Sequence, residues 1–524
     1  MATGGDDAAL LEKFSAWCVV QGIDLSGCRL ERTPDRGLSV VATRAIHDGH
    51  AALAVPLAAT LTVAAAARSA VGRAMLGSRA LGGERVSAQA LMYIVMIDGR
   101  ARPESFWHPW LALLPCAYSD PLWWTSEERH RLLEGTQLAH DAARHEAQVR
   151  DVYHGLFPAL SRELPEVFPA ERFTFEAFRW ARSALASRSF SPAALGEPPP
   201  ACARLSEEES SRLRNDCPAF QCPLLDFTNH DPGTVVSVGL KPLPAGTDGA
   251  SERHLMLSVK GGVSAGSEIL NNYGDCRSNF QLLLGYGFCV PGNAADAVPV
   301  RLGAPPNLPA LRRGALRRAG LALDEGHALT RAEPLPPRML AVLRVLLMTE
   351  RSLIRVAKSS GVGPLKKAAA AAGSPEEGES ADAAELQRRA AFLASLSEPL
   401  EPSAAPACDG ELAVLGALRQ QLLHKLKAVA AVKLNASGGV NERNAAHYRQ
   451  GQEGVLTAAL TAAKNAEKDW CRRHGIAWRE EEEQEGEEGG EEEEPEVDEE
   501  VEPEPVEEEE GERPRRKRPR SKAG

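Results

Sequence analysis

Residues 226–288 constrain this chain more than any other stretch. The region opens with LLDFTNHDPG (Leu224–Gly233) and closes with GSEILNNYGDCRSNFQLLLGYGF (Gly266–Phe288). Between them lie a strand-like run, HLMLSV (His254–Val259), and a turn at Gly261-Gly262. Asp226, Asn229, His230, Tyr273, Asn279, Tyr286 and Phe288 are side chains able to do chemistry, set among apolar residues that would hold them still.

Composition narrows the classes. At 524 residues the chain exceeds one ordinary core, so two domains plus tails are expected. No run of 18 or more uncharged apolar residues occurs, so no membrane partner is expected. Asp6, Asp7 and Glu12 stand where a secretory or transit peptide would be basic or acid-free, which points to the cytosol or the nucleus. The ten cysteines include no C-x-x-C pair, and Cys217 and Cys222 have poor zinc spacing, so no metal is expected.

The net charge of −12 is misleading. Glu480 to Glu512 holds 22 acidic residues and no Lys or Arg, and the last twelve residues hold seven basic ones, which leaves residues 1–479 at a formal +3. Nothing in that balance calls for direct nucleic-acid binding. Residues 480–524 read as a disordered tail, acidic then basic. The tail suits a basic partner, and PRRKRPRSK (Pro514–Lys522) suits nuclear targeting.

Residues 8–20 space Leu10, Leu11, Phe14, Trp17 and Cys18 as a helix ending near Gly22. The runs flanking Pro34-Asp35-Arg36-Gly37 are β-rich, and Gly37, lacking a Cβ, would let the backbone approach a ligand. Residues 57–85 read as a weak helix and a mobile loop. Residues 87–186 read as helical, with Ser87 and Thr174 as N-caps. Four of the eight tryptophans (Trp107, Trp110, Trp123 and Trp124) fall here and read as packing. Residues 191–220 and 359–385 read as loops. Three helical patterns follow, at 335–358, 410–429 and 445–470.

The pair D-x-x-N-H then N-Y-G…S-N…Q-L-L…Y-G-F, together with R-G-L at Arg36–Leu38 and S-R-x-F at Ser187–Phe190, resembles the SET-domain methyltransferases of the Rubisco large-subunit lysine methyltransferase branch. The resemblance covers residues 8–300 well and 300–470 loosely, because Gly451-Gln452-Glu453-Gly454 departs from the branch's R-x-G-E-K helix. Cys289 stands alone, without the zinc cysteines common in histone-type relatives.

The resemblance implies an α+β fold: small SET-type sheets with a pseudoknot over 8–300, a helical insert at about 87–190, an all-α substrate-binding domain over 301–470, and the tail. It implies S-adenosyl-L-methionine (SAM) as cofactor. Asp35, Arg36, Gly37, Arg188, Asn229, His230, Tyr273 and Phe288 would hold SAM. Ser187, Asp226 and Tyr286 would face the substrate, and Tyr273 would be catalytic. The expected reaction is methylation of a lysine amine in a protein substrate. About one lysine in 10³ is neutral near pH 7.4, so placement of the nitrogen matters most. Some histidine-methylating relatives lack a tyrosine where Tyr286 stands, which favours lysine and leaves histidine as the alternative. A catalytically silent binding module and a tail-driven role toward basic proteins are the readings from other classes.

Overall fold

The computed structural model describes residues 4–33, 36–217, 219–242, 253–303, 305–362, 365, 383–399, 411–435 and 437–478. Asp35 and the tail from 479 lie outside the described residues. Met1–Ile476 form one compact unit. Among the described residues, no helix is long and apolar enough to cross a membrane.

Helix α1 (Gly4–Val20) buries Phe14, Trp17 and Cys18. Strands β1 (Cys28–Thr33) and β2 (Gly37–Ala42) form a hairpin whose last pair is Thr33 with Gly37. β3 (Leu53–Pro56) follows. The stretch expected as a weak helix and a loop makes two short helices, α2 (Val63–Arg68) and α3 (Ala70–Gly77), capped by Thr62 and Ser69, and then turns without helix or strand over 78–85. Their small side chains explain this, since Ala64, Ala66 and Ala67 fit flush in the core.

β4 (Val86–Ser87) leads into α4 (Ala88–Ala101), which Ser87 caps by accepting from the Ala90 N–H. Eleven residues of α4 are buried, so it is the insert's central rod. Around it come α5 (His108–Leu111), α6 (Ser126–Leu133), α7 (Gln137–Glu163) and α8 (Phe175–Arg188). Thr174 caps α8 by accepting from the Ala177 N–H. The stretch read as a loop at 191–220 holds short elements: β5 (Ser189–Phe190) just precedes it, then come α9 (Glu207–Arg212), β6 (Leu213–Arg214) and β7 (Phe220–Gln221). The strands among them pair with distant chain, β4 with β6 and β5 with β7. Such long-range pairing leaves no local periodicity to read.

β8 (Val236–Pro242) and β9 (Arg253–Val259) complete an antiparallel sheet in the order β3-β9-β8. Beyond β9 the chain passes between two earlier segments. On one side Val263 exchanges bonds with Ile46, and Ile269 donates to Val40. On the other, Asn271 donates to the Asn229 carbonyl and accepts from the Asp231 N–H. This passage delivers Tyr273. Helix α10 (Asn279–Tyr286) follows, with a capping box between Ser278 and Gln281.

The C-terminal region comprises β10 (Ala297–Arg301), α11 (Ala310–Ala319), β11 (Gly326–Thr330), α12 (Pro337–Leu347), α13 (Glu350–Ser359), α14 (Ala383–Ser397), α15 (Glu411–Ala431) and α16 (Val440–Arg473). It is helical apart from the antiparallel pair β10–β11. The pattern at 335–358 is two helices because Thr349 caps a new one. Helix α14 begins inside the stretch read as a loop at 359–385.

One cluster of buried residues joins Trp124, Leu132 and Leu138 of the insert, Leu283 of α10, and Ala445 and Tyr448 of α16. Gly451, the glycine shared with the R-x-G part of that pattern, has a steric reason, since a Cβ there would lie 1.9 Å from Asp296 Oδ2. The same Asp296 accepts from Asn279 N and Nδ2 at 2.8 and 3.1 Å.

Candidate active site

Tyr273 sits where the clamped segment ends. Its hydroxyl donates to the Thr228 carbonyl at 2.9 Å, and its N–H donates to His230 Nδ1 at 3.2 Å. An accepting Nδ1 requires a ring nitrogen without a proton, and burial lowers the His230 pKa in the same sense. Four rings gather here. Tyr273 stacks on His230 at 5.1 Å and on Tyr286 at 4.8 Å, and Phe288 lies 6.3 Å from Tyr273. Burial pushes the Tyr273 hydroxyl above its ordinary range, so it acts as a neutral hydrogen-bonding group at neutral pH.

Beside the rings is a cavity of about 230 Å³ lined by Ser187, Arg188, Asp226, Thr228, Tyr273 and Tyr286 among others. Arg188 ends α8 and donates to the Asp226 carbonyl at 2.8 Å, while its nearest approach to the Asp226 carboxylate is 3.8 Å. Trp110 Nε1 donates to Asp226 Oδ2 at 3.0 Å. Arg188 Nε and Asp226 Oδ1 are buried with no partner within the protein. Burial lifts Asp226 to about 7, against the lowering pull of Arg188 and Trp110. Ser187 is half-buried and donates its hydroxyl back to Ser183, within its own helix.

Of the residues singled out in the sequence, Ser187, Arg188, Asp226, Tyr273 and Tyr286 therefore line one cavity, with His230 and Phe288 in ring contact with Tyr273. Asn229 is adjacent, but its amide is spent on scaffolding, reaching the Leu38 carbonyl, Ser39 Oγ and Glu268 Oε1. Arg36 is exposed, 3.4 Å from Glu268, so Glu268 links the β1–β2 turn to Asn229. Gly37 holds a left-handed φ of +72° with open space where a Cβ would be. The sequence did not mark Thr228, Trp110 or Glu268 for the site. A carbonyl acceptor carries no side-chain signal, and Trp110 is legible only as a packing residue. Among the described residues, no group of three or more His, Cys, Asp or Glu side chains could hold a metal ion.

The passage of the Gly266–Tyr273 segment between two earlier ones, the insert and the ring cluster define a SET-type fold, and comparison with solved structures agrees. The chain matches "the SET domain of LSMT bound to Lysine and AdoHcy" with a TM-score of 0.62 at 20% identity, over 89% of this chain and 93% of that one. It matches "Rubisco LSMT bound to Sinefungin and Monomethyllysine" with a TM-score of 0.63 at 20% identity, over 90% and 94%. It also matches "Rubisco LSMT bound to AdoMet" at 0.62 and 19%, over 88% and 93%.

In sequence, the chain is similar to the actin-histidine N-methyltransferases of Mus musculus and Homo sapiens, each 28% identical over 345 residues. These alignments take in 64% of this chain, and the chain spans about half the length of these curated relatives, 52%. No family model matches.

Proposed function

We propose that this chain is a SAM-dependent methyltransferase acting on a side-chain nitrogen of a protein substrate. The observation that carries the reading is the Tyr273 hydroxyl, fixed on the Thr228 carbonyl at the wall of a cavity that also holds Arg188 and Asp226. The residues fit SAM. It bears a carboxylate, an ammonium and an adenine ring, and the unpartnered buried Arg188 Nε and Asp226 Oδ1 offer one donor and one acceptor for the charged end. Phe288 and His230 offer ring faces. The AdoMet-bound Rubisco LSMT neighbour supports the same ligand.

When bound, SAM supplies an electrophilic methyl group on a sulfonium sulfur. The protein's part is placement. Tyr273, held from both its hydroxyl and its N–H, presents a rigid phenol oxygen to the transfer path. Tyr286 stacks on it and narrows the approach. Alignment of this kind accounts for several kcal/mol of barrier.

The acceptor we propose first is histidine, supported by the names of the sequence relatives and contrary to the lysine expectation from Tyr286. An imidazole with a pKa near 6.5 is mostly neutral at pH 7.4 and needs only orienting. Lysine is the second reading, favoured by Tyr286 on the cavity wall and by the lysine-bound neighbour. The acidic-basic tail belongs to the same proposal as a contact for a basic partner in the cytosol or nucleus, resting on sequence alone.

The test is methyl transfer from labelled SAM into a cell extract, followed by hydrolysis and identification of the labelled amino acid. Methyl-histidine, with a rate that levels off above about pH 7, supports the first reading. Methyl-lysine, with a rate still climbing tenfold per pH unit at pH 8, replaces it with the second. No transfer by the wild type overturns both.

A further inference from the structure

We propose that Asn444, on the last helix of the folded unit, is a positioning residue for the catalytic ring cluster. The inference rests on the methyltransferase reading above. Tyr286 is the last residue of α10, and Gly287 caps the helix in a left-handed conformation with φ +80°. The Gly287 N–H is used within the helix, on the Leu282 and Leu283 carbonyls. Its carbonyl would be left over. Asn444 Nδ2 donates to that carbonyl at 2.9 Å, and Asn444 Oδ1 accepts from the Cys289 N–H at 3.1 Å.

One primary amide thus grips the chain on both sides of Phe288. The two bonds fix the peptide planes before and after it, which sets the direction of its ring. Tyr286 and Phe288, two of the three rings in contact with Tyr273, both belong to the gripped turn. The turn also lies close against the insert, since a Cβ on Gly287 would lie 2.7 Å from the Asp120 N. The turn is therefore held between the insert and α16. Asn444 is buried, at 8% exposure, so water does not compete for these bonds. Asparagine suits the position because it offers one donor and one acceptor on a short arm. An aspartate would turn an oxygen toward the Gly287 carbonyl.

Gln452, two turns along the same helix, is the control. Its Nε2 donates to the Ala297 carbonyl at 3.0 Å, on β10 and away from the 286–289 turn in sequence. Loss of simple helix docking would affect both positions alike. The experiment compares Asn444→Ala, Asn444→Asp and Gln452→Ala in the full chain. Three quantities are measured: kcat and KM with labelled SAM, unfolding midpoint, and hydrogen exchange of the segment 286–290.

The expected result for Asn444→Ala is a kcat at least tenfold lower, KM for SAM within threefold, and exchange of 286–290 at least tenfold faster. Gln452→Ala keeps kcat within twofold and leaves that exchange unchanged. Asn444→Asp, isosteric with the wild type, carries the same test if the alanine variant does not fold. Wild-type kcat in a folded Asn444 variant, or an equal loss in Gln452→Ala, overturns the proposal. If the wild type transfers no methyl group, the functional reading falls. The exchange comparison then still decides whether Asn444 holds the turn: unchanged exchange in the variant overturns it, and faster exchange supports it.

Discussion

Arg344 with Glu411 and Arg188 with Asp226 are the same two chemical groups, buried twice in one unit. Arg344 meets Glu411 through two bonds, at 2.8 and 2.5 Å, and donates a third to the Leu396 carbonyl at 2.8 Å. Arg188 donates to the Asp226 carbonyl, stops 3.8 Å from its carboxylate and leaves its Nε unpartnered, as Asp226 leaves its Oδ1. A buried polar atom without a partner costs about 1–3 kcal/mol. The C-terminal pair therefore acts as scaffold, satisfied within the protein. The pair in the cavity keeps its hydrogen-bonding capacity for something that enters.

The sharpest way to break this comparison is to disturb each pair and measure stability and binding separately. Arg344→Met takes from the buried Glu411 carboxylate the two bonds of its guanidinium partner, and should cost about 3–5 kcal/mol in chemical denaturation while the folded fraction binds SAM as before. Reduced SAM affinity at unchanged stability would reverse the assignment. Tyr273→Phe removes only the hydroxyl that holds Thr228. It should lower kcat on the order of 10²-fold, with SAM affinity, read by calorimetry, within about threefold. Arg188→Lys keeps the charge and loses the planar fork, so SAM binding should weaken about tenfold while the unfolding midpoint of the ligand-free protein barely moves. A large stability loss there would make it a second scaffold pair.

The remaining test is in pH. Asp226 titrates near 7 in the folded state and near 4 when unfolded, so between these values the native state holds a proton that the unfolded chain has released. Stability from this group is fully present below pH 4 and is lost as pH rises through 7, with a limiting slope of about 1.4 kcal/mol per pH unit. The difference in unfolding free energy between wild type and Asp226→Asn should therefore fall from pH 5 to 7 and be flat above 8. A flat difference throughout would mean that Arg188 already compensates the charge, and the contrast between the pairs would collapse.

Local signals carried the parts of the fold that are local. Ser87 and Thr174 are legible as caps because the hydroxyl acts within its own first turn. The cavity residues Arg188, Asp226, Tyr273 and Tyr286 are legible because three motifs fall in a recognisable order. What escaped depends on partners far along the chain. The β10–β11 pair has short strands separated by a helix, so no turn signal announces it. Trp110 reads as packing until Asp226 is seen at its Nε1. Asn229 is marked by its motif, but the bonds its amide makes to Leu38 and Ser39, 191 and 190 positions away, are not. Asn444 gives no signal at all, because its partners are backbone groups.

The grip of Asn444 on Gly287 also has a consequence for synthesis. The two residues are 157 positions apart. At roughly 5–20 residues per second, a ribosome adds the second roughly 10–30 s after the first. Throughout that interval the turn bearing Tyr286 and Phe288 has the insert on one side and lacks the grip of α16. The ring cluster becomes complete only when α16 has left the exit tunnel and docked, so a nascent or prematurely terminated chain should carry the whole motif and still lack an organised site.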